Sequence, residues 1–203
     1  MNICAFRTVC FIIVGWLFMM TSCRQNYSPK PAGFMRIALP EKDYQLFDNL
    51  FPYSFKYPGY SEFIPDERDI AEPYWANIVF PAFKGTLHLS YKTVHSTDDL
   101  KAYFDDARSF TQRHIPKATA MRDELFIDEE HQVYGMLFQI KGKEVASPIQ
   151  FYLTDSTRHF LRGALYFEVT PNNDSLAPVI DFLEDDIRYM IETTRWQTPG
   201  SGR

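Results

Sequence analysis

The chain changes period along its length. In PYSFKYPGY, Tyr53, Phe55 and Tyr57 fall on one side and Ser54 and Lys56 on the other, between Pro52 and Pro58, which predicts a strand. Strands are also expected over YWANIVF and TLHLSYKTV, with PAFKG as the hairpin connection. GFMRIALP begins in alternation but ends at Pro40, so it reads as an edge strand or an extended arm. The period then lengthens. Leu100, Tyr103, Phe104, Ala107, Phe110 and His114 recur at helical spacing, Ser96 and Asp99 form a capping box, and Pro116 supplies a stop.

Three strands follow. QVYGMLFQIKG sets Tyr134, Met136, Phe138 and Ile140 on one face, and SPIQFYLT and FLRGALYFEV flank DSTRH as a hairpin. In that hairpin Ile149, Phe151 and Leu153 should face Leu161, Leu165 and Phe167, and Gly163 signals a bulge or a bulky neighbour lying across the strand. DSLAPVIDFLEDDIRYMIETTRW is a second helix, capped by Ser175 or Asp174 with Pro178 in its first turn. Leu176, Val179, Leu183, Ile187, Met190 and Thr194 line its apolar side, and Glu184 precedes Arg188 by one turn. Short loops between the last strands demand antiparallel pairing, and two amphipathic helices must each bury a stripe against a sheet. The expected class is α+β: a single domain, mainly antiparallel sheet, packed by two helices into two or three layers. That order of elements resembles the fold shared by Mog1 and PsbP.

The first residues follow another logic. Arg7 is the only charged side chain before Cys23, and Val9 to Met20 is uninterruptedly apolar. A cationic start, an apolar centre and small residues before a cut make a secretory signal, and the run is short against the roughly 20 residues of a membrane span. MTSC resembles a bacterial lipobox, with Met20 where Leu is commoner; there the Cys23 thiol takes a diacylglycerol and the preceding peptide bond is cut. Cys4 and Cys10 leave with such a signal, so the lone Cys23 can form no internal disulfide. The expected organisation is a signal over 1–22, a lipidated tether over 23–33, one domain over 34–197 and a flexible tail over 198–203. No acid occurs between Cys23 and Glu41, which favours the periplasmic side over surface export.

Charge and chemistry narrow the function. A formal charge of −5 without basic clusters excludes a nucleic-acid partner. No G-x-S-x-G elbow, S-x-x-K, paired histidine motif or Gly-rich phosphate loop is present, so no catalytic residue, metal or cofactor is expected. DEEH before Gln132 reads as a solvated turn, and the pairs Asp105–Asp106 and Asp185–Asp186 are expected to face water. KYPGYSEFIPDERDIAEPYW stands out by gathering Tyr57, Tyr60, Phe63, Tyr74 and Trp75 around prolines. It is either a loop covering a sheet edge or a protein-interaction patch.

The lipobox, GFMRIALPEKDYQLFD, PYSFKYPGY, EPYWANIVFPAFKGTLHLSYK, VYGMLFQIKG, ASPIQFYLTDSTRHFLRGALYFEV and DSLAPVIDFLEDDI together resemble the gliding motility lipoprotein GldD family of Bacteroidetes. The resemblance implies an envelope lipoprotein needed by the gliding apparatus and the associated type IX secretion machinery, with no known enzymatic activity. Its partners would be the membrane, through the anchor, and envelope proteins of that apparatus. Two other readings stay open: a periplasmic module for a small ligand or peptide, and a cryptic hydrolase using His88, His131 or His159 as base.

Overall fold

The computed structural model describes residues 38–197. The expected signal, the tether with Cys23, most of GFMRIALP and the tail lie outside the described residues.

Seven strands form the main sheet: β3 (Glu62–Pro65), β4 (Ala76–Phe80), β5 (Gly85–Thr93), β6 (Ala120–Asp128), β7 (Val133–Lys141), β8 (Ile149–Thr154) and β9 (His159–Phe167). Their spatial order is β3-β4-β5-β9-β8-β7-β6, and every pairing is antiparallel. A smaller sheet places β2 (Tyr53–Pro58) between β1 (Tyr44–Phe47) and the short β10 (Arg195–Trp196). The helices are α1 (Thr97–Gln112) and α2 (Asn173–Glu192).

Alternation along the strands assigns the layers. Leu87, Leu89, Leu137, Phe151, Leu153, Leu161 and Leu165 point to one face, where Val179, Leu183, Ile187 and Met190 of α2 and Phe47, Tyr53 and Phe55 of the small sheet cover them. Phe160 points to the other face, where Ala107 and Val94 are buried with it and Leu100, Tyr103, Phe104 and Tyr152 pack around them. The molecule thus has three layers: α1, the main sheet, then α2 with the small sheet. The anticipated α+β class holds, and so does the apolar stripe of the second helix. Full burial of each such side chain contributes about 1.5–3 kcal/mol.

Local chemistry sets the element ends. The Ser96 hydroxyl accepts the Asp99 N–H at 3.1 Å while the Asp99 carboxylate accepts the His95 N–H at 3.0 Å, so α1 starts as its sequence indicates. The second helix starts earlier than expected. Its first residue is Asn173, whose side-chain amide donates to the Gly142 and Val145 carbonyls at 2.9 Å each. That bond ties the helix start to the β7–β8 connection and leaves Pro178 inside the helix rather than in its first turn. Of the expected row along β7, Tyr134, Met136 and Phe138 are only half-buried, on the α1 side, while Ile140 is buried; Val133 and Leu137 face the core.

Four strands carry no clear alternation in sequence: β1, β3, β6 and β10. Two lie at the edges of the main sheet, where one partner strand suffices, and β10 is two residues long.

Gly163 is explained by the neighbour across it. A Cβ there would lie 2.1 Å from Cε1 of Phe151, its partner in the β8–β9 pairing, and that ring is fully buried. Gly163→Ala is expected to cost about 1–3 kcal/mol in urea unfolding, as overpacked cores do. Combining it with Phe151→Leu should make the two effects clearly non-additive; additive losses would contradict the assigned contact.

Candidate functional site

All five residues of the aromatic segment are half-buried against the main core. Phe63 on β3 stacks on Phe47 with centroids 3.9 Å apart, and Tyr57 meets Phe63 at 6.3 Å. Tyr74 packs against Phe51 at 5.5 Å and Tyr91 at 5.8 Å, and its carbonyl accepts the Tyr53 hydroxyl at 2.8 Å. Trp75 donates its indole N–H to the Tyr91 carbonyl at 2.9 Å, with the Lys92 ammonium 5.7 Å from its ring. Tyr60 turns to α2, where it stacks on Phe182 at 5.8 Å. The segment therefore seals the join between the two sheets. With the Trp75 N–H and Tyr60 hydroxyl already engaged, what these two residues offer outward is ring surface.

Tyr60 leads to a buried carboxylate. The Asp186 side chain on α2 is 1% exposed, against 70% for Asp185. It accepts hydrogen bonds from the hydroxyls of Tyr44 (2.7 Å) and Tyr60, and the Lys42 ammonium stands 3.2 Å away. The expectation that both aspartates face water is corrected here. Successive helix residues turn about 100°, so Asp186 sits only about 60° from Leu183 on the buried stripe while Asp185 points away from it. Burial, then the hydrogen bond and charge of Asp186, push both tyrosines well above the ordinary phenol value, so they remain donors.

On the other flank of the same stripe Glu184 is also buried, at 5% exposure. It binds the guanidinium of Arg122 from β6, the amide of Gln139 from β7 and, at 3.0 Å, Arg188 one turn along α2. Arg188 in turn binds Glu124 of β6. The i, i+4 spacing of Glu184 and Arg188 was legible in sequence; its extension to β6 and β7 was not, because it spans three elements.

The three candidate histidines have side-chain partners. His88 Nδ1 is 2.6 Å from Asn77 Oδ1, His131 Nδ1 is 2.8 Å from Asp128 Oδ2, and His159 Nδ1 is 2.8 Å from the Tyr91 hydroxyl. His131 and His159 border one cavity of about 330 Å³, where Trp196 stacks on His159 at 5.0 Å and 5°. Burial holds His159 below the ordinary imidazole value, so the ring is neutral at pH 7. The cavity wall carries Tyr74, Tyr91, Arg158 and, as its single aliphatic hydroxyl, Thr93. This is a polar, aromatic-walled recess suited to holding a small planar or polar group. Among the described residues no three or more His, Cys, Asp or Glu side chains converge as metal ligands, and no helix is long and apolar enough to cross a membrane. DEEH forms a turn in which Glu129 and Glu130 are exposed and His131 is tied back to Asp128.

The family described as "Gliding motility lipoprotein GldD" matches residues 24–196, which takes in almost the whole described domain. The chain belongs to the GldD family. It is therefore a lipoprotein of the cell envelope associated with gliding motility, as the family resemblance implied. No curated protein matches it in sequence. Among solved structures, the solution structure of cyanobacterial PsbP from Synechocystis sp. PCC 6803 is similar at a TM-score of 0.44 and 13% identity, covering 78% of this chain and 95% of the other.

Within this GldD-family domain the two aspartates of α2 give a direct comparison. Asp186→Ala is expected to cost about 3 kcal/mol in chemical unfolding, since it removes a buried carboxylate and leaves two part-buried hydroxyls without their acceptor. Asp185→Ala should stay within about 0.5 kcal/mol. Equal effects would contradict the assigned burial. A pH test concerns Asp155 in the β8–β9 turn. Burial raises its pKa, but the backbone N–H groups of Arg158, His159 and Thr157 outweigh this and hold the carboxyl below its ordinary value. A depressed carboxyl contributes stability above its unfolded value, about 3.9, and loses it as pH falls through the folded value. The deficit of Asp155→Asn, measured by urea unfolding, should be largest near pH 7 and shrink below about pH 4.

Proposed function

We infer that this protein is a non-catalytic scaffold or assembly factor of the gliding machinery and the associated type IX secretion machinery. It is held to a membrane by acyl chains on Cys23 and faces the periplasm. The observation that carries this reading is the family match, which begins at Arg24, directly after the expected acylation site, and runs to Trp196. Two or three acyl chains anchor stably where one binds only reversibly, each buried methylene contributing about 0.8 kcal/mol. The polar tether 23–33, at roughly 3 Å per residue, lets the domain stand about 30 Å from the bilayer.

The chemistry inside the domain supports contact rather than turnover. The buried carboxylates Glu184 and Asp186 are occupied in binding elements to one another, with their donors already in place. The rings of Tyr57, Tyr60, Phe63, Tyr74 and Trp75 are candidate contact residues at the join of the sheets. A second reading, a periplasmic module for a small ligand or peptide, draws on the recess between His131, His159 and Trp196.

Cys23→Ala is expected to abolish acyl labelling and release the protein from the membrane fraction. Crosslinked native membranes should yield the protein with motility or secretion components. An unmodified thiol on a freely soluble chain, or a protein isolated alone at native expression, would overturn the proposal.

A further inference from the structure

The two edges of the main sheet are unlike. On one side β3 has four residues and ends in Pro65, features that discourage further pairing. On the other side β6 has nine residues without Pro or Gly, and among the described residues no strand pairs with its outer edge. Its first half is charged, but Arg122 and Glu124 are bound by Glu184 and Arg188. Its second half is apolar and open: Leu125 is 62% and Ile127 61% exposed, on the face that α1 leaves uncovered. Met121, on the same face, is 43% exposed. An edge of this kind presents a row of backbone N–H and C=O groups ready to take another strand.

The charges around that edge indicate what kind of strand. Asp123, Glu129 and Glu130 are exposed and, among the described residues, make no ion pair. Antiparallel pairing with a second copy of β6 is opposed by them. The register that sets Leu125 against Ile127 also sets Glu124 against Asp128 and Asp123 against Glu129. Centring the pair on Glu124 sets that acid against itself. Centring it on Leu125 separates the acids only by placing Asp123 against Ile127 and Glu124 against Phe126. Like charges directly opposite are destabilising, and charge against apolar forfeits the cross-strand contact. The described chain begins beside α2 and ends between β2 and the β6–β7 turn, where Arg195 stands 3.6 Å from Asp128 and the Trp196 indole N–H donates to the Gln132 carbonyl at 2.9 Å. Among the described residues neither end pairs with the outer edge of β6. Lys42 bonds to the Phe182 carbonyl on α2, and the Gln197 N–H bonds to the Pro52 carbonyl beside β2.

We propose that β6 is the docking edge of this lipoprotein: it takes an extended segment of a partner protein, apolar at alternate positions and flanked by Lys or Arg, as an added strand. Backbone hydrogen bonds supply the affinity. Leu125 and Ile127 receive the apolar side chains, and Asp123, Glu129 and Glu130 meet the basic flanks. This rests on the scaffold reading and names the surface through which it acts.

The test is in-cell photocrosslinking of the full lipidated chain, with a photoreactive phenylalanine placed singly at Leu125, Ile127 or, on the opposite edge, Ile64. Adducts are expected from Leu125 and Ile127 and not from Ile64, mapping by mass spectrometry to one partner segment with alternating apolar residues and flanking Lys or Arg. Adding Leu125→Arg to the chain carrying the probe at Ile127 should lower adduct yield about tenfold, since it removes an apolar contact and repels a basic strand. Leu125 is exposed, so this change leaves folding intact. Adducts to a second copy, to the same chain, or to an acidic segment would each overturn the proposal. Adducts from Ile64 alone would overturn it while leaving the scaffold reading standing; no adducts at any position, with the protein isolated alone, would remove both.

Discussion

The apolar stripe of α2 and the two carboxylates on its flanks hold the layers in place. Leu183, Ile187 and Met190 have almost no contact with water, so the helix can lie only along the core face of the main sheet. A helix packed this way brings the residues beside its stripe to the rim of the interface. There Glu184 collects donors from β6 and β7, and Asp186 collects the hydroxyls of Tyr44 and Tyr60. One helix thus fixes an edge of the large sheet on one side and the small sheet on the other. A buried carboxylate is tolerated only while its donors stay in place, so each bond also constrains where its strand lies.

The aromatic segment completes this arrangement. Phe47, Phe51, Tyr53, Phe55 and Phe63 interlock at ring separations of 3.9 to 6.3 Å, and Tyr74 and Trp75 extend the cluster to Tyr91 on β5. Edge-to-face and offset contacts of this kind add to the area they bury. The third strand of the small sheet, β10, is only two residues long, which leaves little more than a hairpin, and these rings join the sheet to the main body. Ordered walls on the α2 side contrast with the α1 side, where, among the described residues, one helix covers only part of a seven-stranded sheet and Leu125 and Ile127 of β6 are exposed.

The two helices, the β4–β5 and β8–β9 hairpins and the crowding at Gly163 were legible because each depends on residues close in sequence or directly paired. A period of 3.6 or 2, a capping pair or a glycine opposite a ring carries its own physical reason. Edge strands were not legible, since β6 exposes most of its side chains and so loses the alternation that burial imposes. The burial of Asp186 was within reach of a helical projection, which puts it beside Leu183. What a projection lacks is the pair of tyrosines from β1 and the turn after β2 that make such burial tolerable.

By itself, then, the sequence determined the α+β class, the core stripe of α2, that of α1 from Leu100 to Ala107 (Phe110 is exposed and Thr111 buried in its place), and the lipobox and segment motifs by which the GldD family is recognised. Periodicity and short motifs are properties of neighbouring residues, and chain order preserves them. Tertiary structure alone decided which donors make a buried Asp186 tolerable, that His131 and His159 share one recess, and that, among the described residues, one sheet edge is blunted while the other is left unpaired. Each of these depends on groups far apart in the chain meeting in an interface, or on a strand that has, among the described residues, no second neighbour. No local pattern encodes either outcome.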